Sequence, residues 1–340
     1  MLIRTTPMRM GPAGIAAVFV FNLLCLSLLG SAQNYEIPRL PGAELLEASY
    51  LPYRHLLATE DKTITLPKEL TDAFLSISAD GSIIGCVRRI PGSGSSDERR
   101  IVSTYSVKDE KLTDYLEITG FWGSSAIAPD GTEMAYVTSD PLPDSFGVHL
   151  SLRLLDFKTG KVRSFNNPSG SVEEISWSPD SRRIAFDMGS PRDRGVDFYR
   201  SEIRTINMID VESGKISSIG VGGTPSWSPS GEWIAYVGYV PTNRADAQQW
   251  SFYNGRYYAN DDFELRLTNT AGTHSRRLMR LHSGPNFKPV WSPDSQTILF
   301  NEMRDPDRGM IDIYMLDVVT GKRTKKFKNV GPVFAWVAAK

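Results

Sequence analysis

The sequence predicts an all-β fold: a six-bladed β-propeller of four-stranded antiparallel blades, its ring closed by pairing N- and C-terminal strands. Three observations predict it. One phrase recurs, at Ser176–Phe186 (Ser-Trp-Ser-Pro-Asp-Ser-Arg-Arg-Ile-Ala-Phe), Ser226–Tyr236 and Val290–Phe300, with weaker copies at Ile77–Val87 and Ile127–Tyr136. Its turn residues, Asp80, Asp130, Asp180, Ser230 and Asp294, are spaced by 50, 50, 50 and 64 residues, a period typical of propellers and other repeat architectures. Between the copies lie short runs rich in β-branched and aromatic residues, and no 3.6-residue periodicity is sustained after residue 60.

The N-terminus reads as a leader. Arg4 and Arg9 precede the apolar run Ile15–Leu29, and Gly30-Ser31-Ala32 follows, so a secretory signal peptide is expected over 1–32, cleaved after Ala32. The run is short for a membrane span. Retention as an anchor is the alternative, and membrane contact is expected only through this segment if it stays uncleaved. Residues 33–53, with Pro38, Pro41, Gly42 and Pro52, read as an extended lead-in with one short helical turn at Ala43–Ala48. The propeller is assigned to 54–340.

Each repeat then supplies four strands, A to D. In the third these are Glu174–Ser178, Arg183–Met188, Glu202–Asp210 and Lys215–Ile219. Strands A and B are joined by Pro-Asp-Gly-type turns. Proline presets φ, Asp bonds its own backbone, and the next residue takes positive φ, which Gly adopts at little cost. Ser181 and Ser295 occupy that glycine slot and are expected to be strained. Strands C and D are joined by Thr-Gly-Lys or Ser-Gly-Lys. Four-stranded units of this kind bury both faces only by packing on one another around an axis, so Trp177, Trp227 and Trp291 read as core between blades. The C-terminus holds a partial sixth copy with Trp336 in phase. Its remaining strands are expected from the N-terminal segment, at Arg54–Ala58 and Thr63–Leu66, although one strand B is hard to find there.

Composition excludes several classes. The 340 residues carry 38 basic and 39 acidic side chains, a net charge of −1, which gives no basic excess for nucleic acid. Of two cysteines, Cys25 lies in the leader, and Cys86 reads as a small buried apolar residue with no disulfide partner.

The in-phase phrase Trp-Ser-Pro-Asp-(Gly/Ser)-x-x-Ile-Ala-Phe, followed by Asp-Ile-Tyr-x-x-Asp and Thr-Gly-Lys, resembles the WD40-like repeat of the TolB propeller family over about residues 70–340. The resemblance implies an exported, non-enzymatic propeller that binds protein partners in the cell envelope; in that family the partner is a peptidoglycan-associated lipoprotein. The family carries an α/β domain ahead of its propeller, whereas here about 40 residues separate the expected cleavage site from the first full repeat. No partner-binding residue carries over.

Candidate binding residues come from what differs between repeats. The B–C loop at Val240–Asp262 makes the 64-residue spacing and holds Arg244, Trp250, Phe252, Tyr253, Arg256, Tyr257 and Tyr258, a composition common in interface hot spots. Packing of this loop on its own blade is the competing reading. The axial entrance is expected from Phe121-Trp122, Asn166-Asn167, Glu173, Thr224, and Asn286 with Lys288. No catalytic residue, metal ligand set or cofactor is assigned. His55, His149, His274 and His282 are scattered, and Asp305, Asp307 and Gly309 form only a fragment of a calcium loop. Two further readings remain: a lyase or hydrolase of a sugar polymer with an axial site, and a stand-alone relative of the prolyl-oligopeptidase-type propeller.

Overall fold

The computed structural model describes residue 40 and residues 43–50, 53–58, 63–71, 73–90, 99–141, 148–165, 172–189, 204–242, 250–253, 256–281, 288–305, 310–328 and 333–338. Regular structure among them is all strand apart from one 3-10 turn at Lys68–Leu70.

The chain begins with a meander of β1 (Ala43–Tyr50), β2 (Tyr53–Ala58) and β3 (Thr63–Thr65). The next sheet has the order β4 (Phe74–Ile77), β5 (Ile83–Arg89), β6 (Arg100–Ser106) and β7 (Lys111–Ile118). It is followed by a sheet of β8 (Phe121–Ile127), β9 (Glu133–Pro141), β10 (Val148–Asp156) and β11 (Val162–Phe165). An eight-stranded sheet then runs through β12 (Val172–Trp177), β13 (Arg183–Gly189), β14 (Arg204–Asp210), β15 (Ile216–Trp227), β16 (Trp233–Thr242), β17 (Trp250–Tyr253), β18 (Arg256–Asn269) and β19 (Ser275–Leu281). A further four-stranded sheet holds β20 (Val290–Trp291), β21 (Thr297–Asp305), β22 (Met310–Asp317) and β23 (Arg323–Lys328). The last strand, β24 (Val333–Ala338), returns to pair antiparallel with β1.

Every pairing is antiparallel, and the repeat plan A to D is met sheet by sheet. The eight-stranded sheet is two such units fused through β15. Ile216–Val221 pairs with β14 as a fourth strand, and Gly222–Trp227 pairs with β16 as the next first strand. First strands lie side by side in sequence: β4 against β8, β8 against β12, β12 against β15, β15 against β20, β20 against β24, and β24 against β4.

The helical turn expected at Ala43–Ala48 is instead the interior of β1, so pairing begins ahead of Arg54. Ala, Glu and Leu favour a helix locally, but Leu45 and Leu46 are fully buried and both edges of β1 are paired, and tertiary context overrides so weak a preference. This strand is the one that was hard to find in the sequence.

The cores lie between units. Trp177 packs with Ala126 and Ala128 of the preceding unit, and its indole donates to the Ala126 carbonyl at 2.9 Å. Trp291 repeats this on the Ser226 carbonyl at 3.0 Å. All three ruler tryptophans are buried, and truncating such a side chain costs about 3–5 kcal/mol. The turns behave as expected: Asp180 and Asp294 accept from Arg182 N and Gln296 N. Ser181 and Ser295 do sit at positive φ, 56° and 61°. Their hydroxyls give something back, accepting from Asp130 N and Ser230 N in the turns of the preceding units.

Candidate functional site

Counting three residues back from the ruler position in each first strand gives Phe74, Ser124, Glu174, Thr224, Lys288 and Val333. These lie at or near the beginnings of the six first strands, each of which packs beside the next, so they share one level of the molecule. Around that level the chemistry is uneven: Phe74 and Val333 are apolar, whereas Ser124, Glu174, Thr224 and Lys288 follow one another as a polar arc.

The arc is organised by a buried carboxylate. Asp187, at the end of β13, is only 2% exposed. Its Oδ1 accepts from Glu174 N at 2.9 Å and from the Arg204 guanidinium at 3.0 Å, and its Oδ2 accepts from Thr224 N at 2.9 Å. One side chain thus ties β12, β14 and β15 together. The neighbouring backbone must come close for this, since a Cβ on Gly223 would stand 2.9 Å from Asp187 Oδ2. Thr224 is buried at φ 53°, a region β-branched residues rarely enter, and its Oγ1 has no hydrogen-bond partner.

Lys288, two residues ahead of β20, reaches past the unit that holds Thr224, and its Nζ donates to the Ile175 carbonyl on β12 at 2.8 Å. Burial pushes its pKa below the ordinary lysine value, against the attraction of Glu174 and Asp187. A second buried guanidinium, Arg100, occupies the place in its own unit that Arg204 occupies in the third. It lies 5.1 Å from the Phe74 ring centre and 5.4 Å from that of Phe121. The level therefore carries hydrogen-bonding groups on one arc and aromatic and aliphatic groups on the other.

Of the residues expected from sequence, Thr224 and Lys288 are brought together here, and Phe121 is buried beneath Arg100. Trp122 lies in β8 and Glu173 in β12 as backbone, while Asn166, Asn167 and Asn286 fall outside the described residues. Glu174, Asp187 and Arg204 were missed. A signal for Asp187 existed: in phase with it stand Val87, Val137, Val237 and Asn301, so an acid interrupts an otherwise largely apolar position.

Within the long B–C insertion the described residues include an antiparallel strand pair, here called the hairpin. β17 pairs with the first part of β18, with Trp250 opposite Ala259, Ser251 opposite Tyr258, Phe252 opposite Tyr257, and Tyr253 opposite Arg256. The same part of β18 also pairs with Pro241 and Thr242 at the end of β16. The hairpin thus prolongs its unit at the end where β16 finishes and β18 begins, the end at which Thr224 starts the first strand. Arg244 lies outside the described residues.

Cys86 is buried, and desolvation pushes its thiol up to about 12, as expected of a core residue. His274 is exposed in a turn with Asn269 and Thr273. Among the described residues no group of three or more His, Cys, Asp or Glu is placed to hold a metal ion, and no helix is long and apolar enough to cross a membrane. Asp307 and Gly309 of the calcium-loop fragment fall outside those residues.

No family model matches the sequence. It is 26% identical over 192 residues to the uncharacterized peptidase YuxL of Bacillus subtilis, covering 51% of this chain and 28% of that protein, so the chain spans under a third of this relative's length. The crystal structure of TolB from Acinetobacter baumannii matches with a TM-score of 0.60 at 16% identity, over 87% of this chain and 66% of that one. Oligogalacturonate lyase in complex with manganese matches at 0.51 and 14% identity, over 77% and 70% of the two chains. Acylaminoacyl peptidase of Pyrococcus horikoshii matches at 0.50 and 16% identity, over 76% and 40%. With its repeated four-stranded antiparallel sheets, the chain has the fold of a TolB-like propeller.

Proposed function

We propose that this chain is an exported, six-bladed, ring-closed propeller that serves as a protein- or peptide-binding scaffold in the cell envelope. Six units follow if β15 is divided between two of them, and the ring closes if β24 and β1 to β3 form one blade. The leader-like residues 1–32 support export, with cleavage after Ala32, and the propeller then extends from β1 to the end of the chain.

The observation that carries the binding role is the β17–β18 hairpin. Among the described residues it is the one addition to the four-strand plan, and it stands at the same strand end as the polar arc of Glu174, Thr224 and Lys288. Its sequence concentrates Trp250, Phe252, Tyr253, Arg256, Tyr257 and Tyr258, residue types that dominate binding energy at interfaces. Trp122, Asn286 and Lys288 belong to the same face in this reading. The hairpin also offers β17 as a sheet edge, to which an extended peptide can add as a further strand.

The test is crosslinking in the envelope followed by mass spectrometry, comparing the natural chain with one in which residues 244–258 are replaced by a short Gly-Ser link. The pairing of Tyr239 with Phe263 is left intact by that change, so the thermal midpoint should move little. The expected outcome is a protein partner captured by the natural chain and lost with the hairpin. Capture of the same partners by both proteins would place the site elsewhere.

A second reading rests on the similarity to YuxL. Here the propeller would work beside a peptidase, and peptide hydrolysis appearing only when the chain is mixed with a separate hydrolase would favour it.

A further inference from the structure

Two neighbouring outer strands carry positive charge without interruption. β19 holds Arg276, Arg277 and Arg280, and residues 322–328 hold Lys322, Arg323, Lys325, Lys326 and Lys328, with no acid in either stretch. Eight of the 38 basic residues are concentrated here, which leaves thirty against 39 acids elsewhere. Both strands are sheet edges, β19 pairing with β18 and β23 with β22. Arg276, Arg277, Arg280, Lys322 and Arg323 are exposed.

The two stretches belong to one surface. Leu278, Met279 and Leu281 of β19 pack onto the cluster containing Phe300 and Tyr314 of the next unit. The Arg276 guanidinium donates to the Val318 carbonyl, just ahead of β23. Acids on the adjoining strands face part of this charge: Glu264 stands opposite Arg280 and 3.8 Å from Arg277, and Asp312 stands opposite Lys328, while Arg323 lies over the Tyr314 ring at 4.2 Å.

Charged residues on an edge strand prevent edge-to-edge association, but either sign serves that purpose. The outer strand β7 uses Lys111, Asp114 and Glu117 together. A single sign across two adjacent edges calls for a further reason.

We propose that this surface docks the protein onto a membrane rich in anionic phospholipid headgroups. The basic positions are spread along two extended strands. A headgroup layer is a broad anion that makes no demand for a shaped pocket. Each Lys or Arg held near such a layer contributes about 1 kcal/mol, within a screening length of about 8 Å at physiological salt. Membrane contact is thereby extended from the N-terminal leader to the folded domain, and it holds whether or not the leader is cleaved.

The experiment is co-sedimentation of the full chain with phosphatidylcholine vesicles, with and without phosphatidylglycerol, at low and raised sodium chloride. The expected result is binding that requires phosphatidylglycerol and falls with salt. It should weaken about tenfold or more in the variant Arg277→Gln/Arg280→Gln/Lys325→Gln/Lys326→Gln. The variant Lys108→Gln/Lys111→Gln/Lys158→Gln/Lys161→Gln removes the same charge elsewhere and should bind as the natural chain does. If the fourfold patch variant fails to fold, Arg280→Gln/Lys326→Gln carries the comparison. Equal binding to both vesicle types, equal weakening by both variants, or retention on soluble heparin with no vesicle binding would overturn the proposal, the last by assigning the surface to an acidic polymer.

Discussion

Asp187 links three strands beside the polar arc through one side chain. It holds a guanidinium and two backbone amides from three strands while almost wholly buried. Asn301 shows the neutral version of the same device two units on, exchanging two hydrogen bonds with the Val333 backbone at 3.1 Å each. The comparison sets the expectation for substitution. Asp187→Ala strips the counter-charge from Arg204 and should lower stability by about 3–5 kcal/mol. Asp187→Asn keeps a hydrogen-bonding group and should cost about 1–3 kcal/mol. Urea unfolding of both variants checks the order, and equal losses would mean that the hydrogen bonds an amide can keep contribute nothing without the charge.

At the scale of elements, the turns are stabilised by carboxylates in a repeated way. Asp156, Asp210 and Asp317 open the C–D turns and accept from Thr159 N, Ser213 N and Thr320 N, each at 2.7 Å. These hydrogen bonds, with that from the Ser213 hydroxyl foremost at Asp210, hold all three carboxyls below the ordinary aspartate range. A depressed folded-state pKa gives stability that is present above the unfolded value of about 3.9 and lost as pH falls through the folded value. The triple variant Asp156→Asn/Asp210→Asn/Asp317→Asn should therefore show a flatter loss of thermal midpoint between about pH 5 and pH 2 than the natural chain. Identical acid limbs in the two proteins would refute the assignment. The same repetition made the elements readable from sequence, because proline, Asx and glycine chemistry marks each turn in the chain itself.

Across the whole molecule, β24 joins the end of the chain to its beginning. It pairs with β1, lies against β20 and β4, and its Ala335 packs on the cluster that contains Cys86 and Leu46. A chain ending at residue 332 should leave the edge of β1 unpaired and open that cluster. The Cys86 thiol reports the change, since burial holds its pKa near 12 and keeps it unreactive at neutral pH. In a Cys25→Ser background, Cys86 of the truncated chain should react with a disulfide reagent far faster than that of the full chain, and at denaturant concentrations where the full chain stays protected. Equal protection would show that the contact between the chain ends contributes little to stability.

Local chemistry alone determined the strand plan, the turn types and the strained serines at 181 and 295, because each depends on residues a few positions apart; the buried tryptophans were legible because they recur in phase. Phase along the repeat was also enough to place Thr224 and Lys288 at one level among the first strands. Three things depended on tertiary structure. Strand β1 looked helical, since its pairing partners lie at opposite ends of the chain. The Asp187–Arg204 pair was hidden, since its members are brought together by strand register and its backbone partners come from two further strands. The basic surface was invisible as well, because β19 and residues 322–328 are far apart in sequence. They become one surface only when the outer strand of one unit packs against the next. Sequence reports interactions within a strand or a turn; strand register and the packing of sheets set the rest.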